Sequence, residues 1–255
     1  MESKSLGSIL KAAVIAGIMA GILVSVFHFA VTERVMDNAI EIEAQLHQTQ
    51  DVTGETILVD RGLQKAGLFL GFIMYGLAWS LLFAVVRHLA QRWLTAKSGF
   101  RRDLLIGLLA GWSVALLPFL KYPANPPGVG DPETVQYRQL IFLTFIVLSV
   151  ANSLLALALH RFLGRPRAIT PGKHPKWAIV LAAYGAGAAV LYVAMPTNPD
   201  AVQMPADLVW TFRALSFVGL AIFWTGFSGG FAWLLRAGSA ARARRSSSLA
   251  RLRMN

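Results

Sequence analysis

The chain contains no cysteine, which excludes disulfides, thiolate metal sites and iron–sulfur clusters held by cysteine. Charge is scarce as well: 15% of the 255 residues are charged and 55% are hydrophobic. A soluble domain of this length would need more charge to cover its surface. A Walker A loop is also missing, because Gly172-Lys173 is followed by histidine and lacks the spaced upstream glycine. ATP hydrolysis by that machinery is therefore excluded. The N-terminal apolar run after Lys4 and Lys11 is long and offers no small-residue cleavage site before Glu33. It is expected to be a retained first helix, not a signal peptide.

What the chain does have is apolar sequence gathered into six blocks, at about 6–31, 66–86, 104–120, 140–160, 177–196 and 213–235. Most reach the ~17–25 residues that a bilayer-spanning helix requires. These predict an all-α, polytopic membrane protein: a bundle of about six transmembrane helices forming one integral membrane domain over 1–255, with a basic tail from 236 to 255. Assigning the connecting segments alternately to two sides separates the charges. The side with both ends of the chain, 87–103 and 161–176 holds 18 of the 24 Lys and Arg residues and only Glu2 and Asp103 as acids. The other side, with 32–65, 121–139 and 197–213, holds 11 of the 13 acids. By the positive-inside rule both termini are expected in the cytoplasm. The tail "RARRSSSLARLRMN" reads as topogenic or lipid-facing, and no nucleic-acid role is expected of it.

Glycines recur at four-residue spacing in four blocks: Gly17 and Gly21, Gly67 and Gly71, Gly107 and Gly111, Gly226 and Gly230. In lipid such pairs let helix backbones approach closely, so each is a candidate packing face. Trp93, Trp177, Trp210, Tyr122 and Tyr192 fall near predicted helix ends, where aromatic belts form.

The acid-rich side carries three distinct segments. The first continues from helix 1 and places Glu33, Asp37 and Glu41 on one helical face, with Glu43 and His47 as a further i, i+4 pair. Like charges at that spacing oppose a helix unless cations neutralise them. The second, "KYPANPPGVGDPETVQYR", is stiffened by Pro123, Pro126, Pro127 and Pro132 and carries Asp131 and Glu133. The third, "MPTNPDAVQMPADLVW", is expected to fold over the same vestibule. Carboxylates and imidazoles without thiolates suit divalent Co, Ni, Zn or Mn, and select poorly among them. His28, in the outer half of helix 1, is costly in lipid unless it faces protein or water. The candidate metal-binding residues are therefore His28 and Glu33 at a mouth, Asp37, Glu41, Glu43 and His47 as an attracting vestibule, and Asp131 and Glu133 beside it. Ser113, Ser149, Asn152 and Ser153 could line a polar path or bridge helices. His88 and His160, beside Arg87 and Arg161, read as interface anchors or an exit relay, and His174 lies in a basic loop.

A catalytic reading has one foothold. Gly226-Phe227-Ser228-Gly229 matches the GxSG pattern of rhomboid-like intramembrane serine proteases, whose serine needs a histidine base within hydrogen-bond reach. No histidine follows position 174, and only His28 could serve. A small-residue packing face explains the motif better, so no enzyme activity and no cofactor are expected.

The stretch "LKYPANPPGVGDPETVQYR" after helix 3 resembles the hallmark segment of the CbtA family, the proposed cobalt transporter subunit. The start "VFHFAVTERVMDNAIEIEAQ" is similar to that family's N-terminal region, and the resemblance covers essentially the whole chain. It implies a bacterial cytoplasmic-membrane protein taking up Co²⁺ for cobalamin synthesis, paired with a small one-helix subunit, CbtB, bearing histidines near its terminus. Transport of another divalent metal such as Ni²⁺, or a non-transporting scaffold role, are the alternatives. The family supplies no ligand set, so the site residues rest on their chemistry. In the proline loop, Asp131 before Pro132, with Glu133 in the first turn, is expected to cap the helix leading into span four.

Overall fold

The computed structural model describes residues 4–49, 60–90, 99–164, 176–200, 202 and 204–252; side chains of 46–49 and 241–252 are outside the description. His174, Trp93 and residues 50–59 of the acidic segment fall outside the described residues. Among the described residues eight α-helices follow in order: α1 (Leu6–Phe27), α2 (Glu33–Thr49), α3 (Arg61–Ala90), α4 (Phe100–Gly111), α5 (Leu117–Lys121), α6 (Val135–Leu163), α7 (Lys176–Ala194) and α8 (Ala206–Leu252). No strand occurs among the described residues. π-helical turns at His28–Thr32 and Trp112–Leu116 join α1 to α2 and α4 to α5, which leaves six helices long and apolar enough to cross a membrane.

These helices run further than the apolar blocks. The first extends over Leu6–Gln45, and the sixth spans Ala206–Ala240 before continuing as helix through the basic tail to Leu252. Hydropathy marks where lipid is met; it does not mark where backbone hydrogen bonding stops. The third span passes through Pro118 without breaking. Proline removes one N–H donor from a helix. Here the preceding π turn has already shifted the register, with the Leu117 N–H donating to the Trp112 carbonyl five residues back.

The chain divides into two compact units. The first comprises Met1–Arg34, Asp51–Leu108 and Val218–Asn255. Within it α1 packs closely on α3. A Cβ on Gly17 would strike the Ser80 hydroxyl and the Gly76 carbonyl, and one on Gly21 would lie 2.6 Å from the Phe72 carbonyl oxygen. Ser80 donates to the Ala13 carbonyl at 2.8 Å, so a hydroxyl bridges the two backbones. The partner glycine on α3 is Gly76. Gly67 and Gly71, expected to form that face, meet nothing within 4 Å. Gly107 packs on Ser228, while Gly226 and Gly230 face Leu23 and Ala16. Tyr75, Trp79 and Phe83 of α3 meet Phe223, Trp224, Phe227 and Phe231 of α8 edge-on at 4.8–5.4 Å between centroids. Aromatic pairs in this geometry contribute about 0.5–1.5 kcal/mol each beyond the area they bury.

The second unit comprises Val35–Gln50 and Leu109–Phe217. There α6 packs on α7 and on the π turn Trp112–Leu116. Ser113 and Ser153 hydroxyls share a 2.6 Å hydrogen bond, the Asn152 amide donates to the Tyr184 carbonyl at 3.2 Å, and the Trp112 indole donates to the Tyr184 hydroxyl at 2.7 Å. These residues bridge helices. No residue of α7 is buried, and large apolar side chains stand exposed along every span, as lipid-facing surfaces require.

Candidate functional site

The first unit holds His28 and Glu33. His28 opens the π turn and is 8% exposed. Its Nδ1 lies 2.8 Å from the Thr32 hydroxyl, and its ring stacks on Phe72 at 5.0 Å with 5° between planes. Its Nε2 and Cε1 occupy the place where a Cβ on residue 219 would stand, so Gly219 is what admits the imidazole. Sequence spacing could not single out Gly219, which belongs to no i, i+4 glycine pair. Glu33, also 8% exposed, receives the Arg61 guanidinium at 2.6 Å and has the Lys65 ammonium at 3.8 Å. The carboxylate placed at the mouth thus carries two basic partners from α3, the neutralisation that its like-charged helix requires.

The second unit brings the three acid-side segments together. Ala39 of α2 is fully buried with Met204 and Val209, and Ile42, Val129 and Leu208 pack around them. A Cβ on Gly128 would lie 2.5 Å from the Met204 methyl and 3.4 Å from Cβ and Cγ of Glu43. Gly128 and Gly130 take φ of 74° and 112°, conformations that only glycine adopts without strain, so the proline loop turns where its glycines stand. Asp131 caps the following helix as its sequence suggested: its Oδ1 accepts from the Glu133 N–H at 2.8 Å, with Pro132 in the first helical turn. One carboxylate oxygen of Asp131 is therefore directed into its own turn. Glu133 and Glu41 are exposed, and Asp37 and Glu43 half-buried. His47 lies on α2, but its side chain is outside the description.

The loop is held by a residue that sequence reading passed over. Asp200, its side chain 3% exposed, accepts from the Asp131 N–H at 3.2 Å and the Thr134 hydroxyl at 2.8 Å, and pairs with Arg138 Nε at 3.1 Å. Arg138 also donates from Nη2 to the Asp131 carbonyl at 3.0 Å. Beside this latch, the Tyr122 hydroxyl donates to the Pro196 carbonyl at 2.7 Å and Arg213 donates to Asn125 at 2.7 Å. Lys121 sits 4.9 Å over the Tyr192 ring. The third segment was expected over the vestibule, and these bonds seat it on the proline loop.

Among the described residues, no three His, Asp or Glu side chains are grouped to hold a metal ion. In the first unit the buried imidazole of His28 and the carboxylate of Glu33 stand as separate groups, and in the second the carboxylates are spread over α2 and the proline loop. On α6, Ser149 keeps a buried hydroxyl without a hydrogen-bond partner among the described residues, whereas Asn152 and Ser153, and Ser113 of the π turn, are engaged. His88 is half-buried and His160 exposed. The GxSG serine is buried, donates to the Trp224 carbonyl at 2.6 Å and packs on Gly107. His28 faces Gly219, nine residues away on α8, a separation of about 13 Å along a helix with a 1.5 Å rise. That is beyond the reach of a base, and Ser228 belongs to a packing face.

A second polar cluster in the first unit was not expected. Arg87 in the last turn of α3 and Asp103 in the first turn of α4 are each 2% exposed and meet at 2.6 Å, with Lys4 3.9 Å from the other Asp103 oxygen. Each charge also complements the dipole of its own helix end. The signal for it was present: Asp103 is one of only two acids on a side with 18 basic residues.

No curated protein and no solved structure matches the chain. A family model does match, over residues 6–236: CbtA, described as a probable cobalt transporter subunit. The match takes in the first five spans and the sixth as far as residue 236, the π turn with His28, and the proline loop latched by Asp200. With nearly its whole length matched, this multi-pass membrane protein belongs to the CbtA family of probable cobalt transporter subunits.

Proposed function

We propose that the chain is the membrane subunit that carries Co²⁺ across the bacterial cytoplasmic membrane, supplying cobalamin synthesis together with a small histidine-bearing, one-helix CbtB-like partner. The family match over residues 6–236 is the observation that carries this reading. The acid-rich segments support it. At about 8 Å in water each carboxylate attracts a divalent cation by roughly 1 kcal/mol, and the attraction fades beyond about that distance at physiological salt. Asp37, Glu41, Glu43, Asp131 and Glu133 then raise the local cation concentration. Glu33 and His28 follow on the same helix line, five residues apart, as an oxygen and a nitrogen donor. A cation reaching Glu33 competes there with Arg61 and Lys65, so binding is exchange and not simple capture. With both termini cytoplasmic, the membrane potential contributes about 4.6 kcal/mol per 100 mV to inward movement of a doubly charged ion.

Cobalt accumulation in cells expressing the chain, with and without the partner, tests this proposal. Uptake equal to empty-vector cells under both conditions sinks it. His28→Ala and Glu33→Gln should each reduce uptake at unchanged membrane abundance, and unchanged transport removes that residue from the path. Competition by Ni²⁺ at equal concentration separates a cobalt-selective carrier from a general divalent one.

A further inference from the structure

We propose that the second unit binds an alkali-metal cation, Na⁺ or K⁺, between the π turn Trp112–Leu116 and α6, with the Ser113 carbonyl and the Ser149 and Ser153 hydroxyl oxygens as its donors. Two serines there break a habit of this chain. Among the described residues six serines are buried. Ser25, Ser80, Ser113 and Ser228 each reach the carbonyl four residues back at 2.6–2.8 Å, the local bond open to any helical serine. Ser149 and Ser153 make no such bond. Ser149 is fully buried, and its hydroxyl has no hydrogen-bond partner at all among the described residues.

The protons can be placed by elimination. The Ser113 hydroxyl lies 2.7 Å from the Leu109 carbonyl, which can only accept, so Ser113 donates there. The 2.6 Å bond between Ser113 and Ser153 is then donated by Ser153, whose own oxygen accepts nothing. The Ser113 carbonyl lacks a donor too. Its α-register donor, the Leu117 N–H, is turned to the Trp112 carbonyl. Its π-register donor would be Pro118, which has no N–H. Helix carbonyls point towards the C-terminal end, so this one is directed to the level of residues 117–118. Here α6 runs antiparallel, since Ser153 meets Ser113 while Phe145 meets Tyr122. Ser149, midway between Phe145 and Ser153, therefore stands at that same level.

Three oxygen acceptors without donors thus collect near the middle of two spans. Residues 104–120 and 139–159 contain no Asp, Glu, Lys or Arg. Divalent ions are ordinarily held with carboxylates, whereas neutral oxygens at an interrupted membrane helix suit a monovalent cation. A single water donates to only two of the three acceptors, and a cation serves all of them. π turns of this kind occur frequently at functional sites. No residue of the proposed cobalt path takes part.

The test follows the unfolding temperature of the purified full chain in a neutral detergent. NaCl or KCl replaces choline chloride at constant ionic strength. A saturable rise with at least one of the two salts is expected, and the salt that gives it identifies the ion. Ser149→Ala removes a hydroxyl that bonds to nothing, so it should fold as the parent does and weaken half-saturation about tenfold, equivalent to ~1.4 kcal/mol. Pro118→Ala restores an N–H, which gives the Ser113 carbonyl a donor in either helical register, and should weaken half-saturation in the same direction. Ser25→Ala, which removes a buried hydroxyl from the first unit, should leave it unchanged. No saturable rise over choline with either salt assigns the acceptors to buried water and overturns the proposal. A half-saturation that Ser149→Ala or Pro118→Ala leaves unchanged, or that Ser25→Ala weakens equally, overturns it as well.

Discussion

Replacing Asp103 with asparagine removes the one charged partner that Arg87 meets at hydrogen-bond distance among the described residues. The two side chains are 2% and 3% exposed and 2.6 Å apart. At an effective dielectric of about 20 their attraction amounts to roughly 6 kcal/mol. Most of that is offset by desolvation, which amounts to several kcal/mol per ion in protein interiors. The intact pair is therefore worth little against an apolar pair of similar volume. Half of it is another matter, since a lone buried guanidinium keeps its desolvation cost and loses its compensation, a difference of about 3–5 kcal/mol. Arg87 can draw on little else, because its Nε and Nη1 already lack hydrogen-bond partners among the described residues. Asp103→Asn should accordingly lower the unfolding midpoint by roughly 6–20 °C for a chain of this size. The apolar double variant Arg87→Met/Asp103→Leu should recover most of that loss. Thermal unfolding of the three proteins in one detergent, at equal protein concentration, measures both effects. A midpoint for Asp103→Asn within a degree of the parent, or a double variant no better than the single one, refutes the reasoning.

Gly76→Val should cost about 1–3 kcal/mol by forcing α1 off α3, since any Cβ there meets the Gly17 carbonyl. Gly67→Ala and Gly71→Ala, with nothing within 4 Å, should be neutral or stabilise by up to about 1 kcal/mol through helix propensity; equal losses at all three would contradict the assigned face. Asp200→Asn should cost about 1.5–3 kcal/mol, the range for hydrogen bonds to a charged group, and speed proteolysis within residues 123–131. Cleavage at the parental rate would show that the latch does not hold the loop. Replacing Pro126 and Pro127 together with alanine should change cobalt uptake more than protein level. A fall in both by the same factor would reduce the prolines to a folding role.

Much of the fold was legible because lipid imposes a simple rule: a spanning segment must be apolar for about 20 residues and must satisfy its own backbone. That rule fixes six helices from hydropathy alone. Local chemistry was legible too, since Asp131-Pro132-Glu133 caps its helix through bonds within three residues. So was the continuation of helix 1 into the acidic segment, whose polar residues keep a helical period. Where the helices end was not, because hydropathy changes at the headgroups while the hydrogen-bond ladder runs on.

Partners distant in sequence were beyond reach of the sequence. Gly17 meets Gly76 and not Gly67 or Gly71 because helix rotation, set by the whole aromatic ladder between α3 and α8, decides which glycine faces inward. Glu33 looked like a free ligand until α3 brought Arg61 and Lys65 to it. Asp200 lies in a loop with no periodicity, and its role exists only where Asp131, Thr134 and Arg138 converge on it. Composition and order along the chain determined the class of molecule and its six helices long and apolar enough to cross a membrane. Which charges stand exposed to an ion, and which are spent on one another, was decided only by tertiary packing, because a carboxylate's neighbours are set by the faces that helices turn to each other.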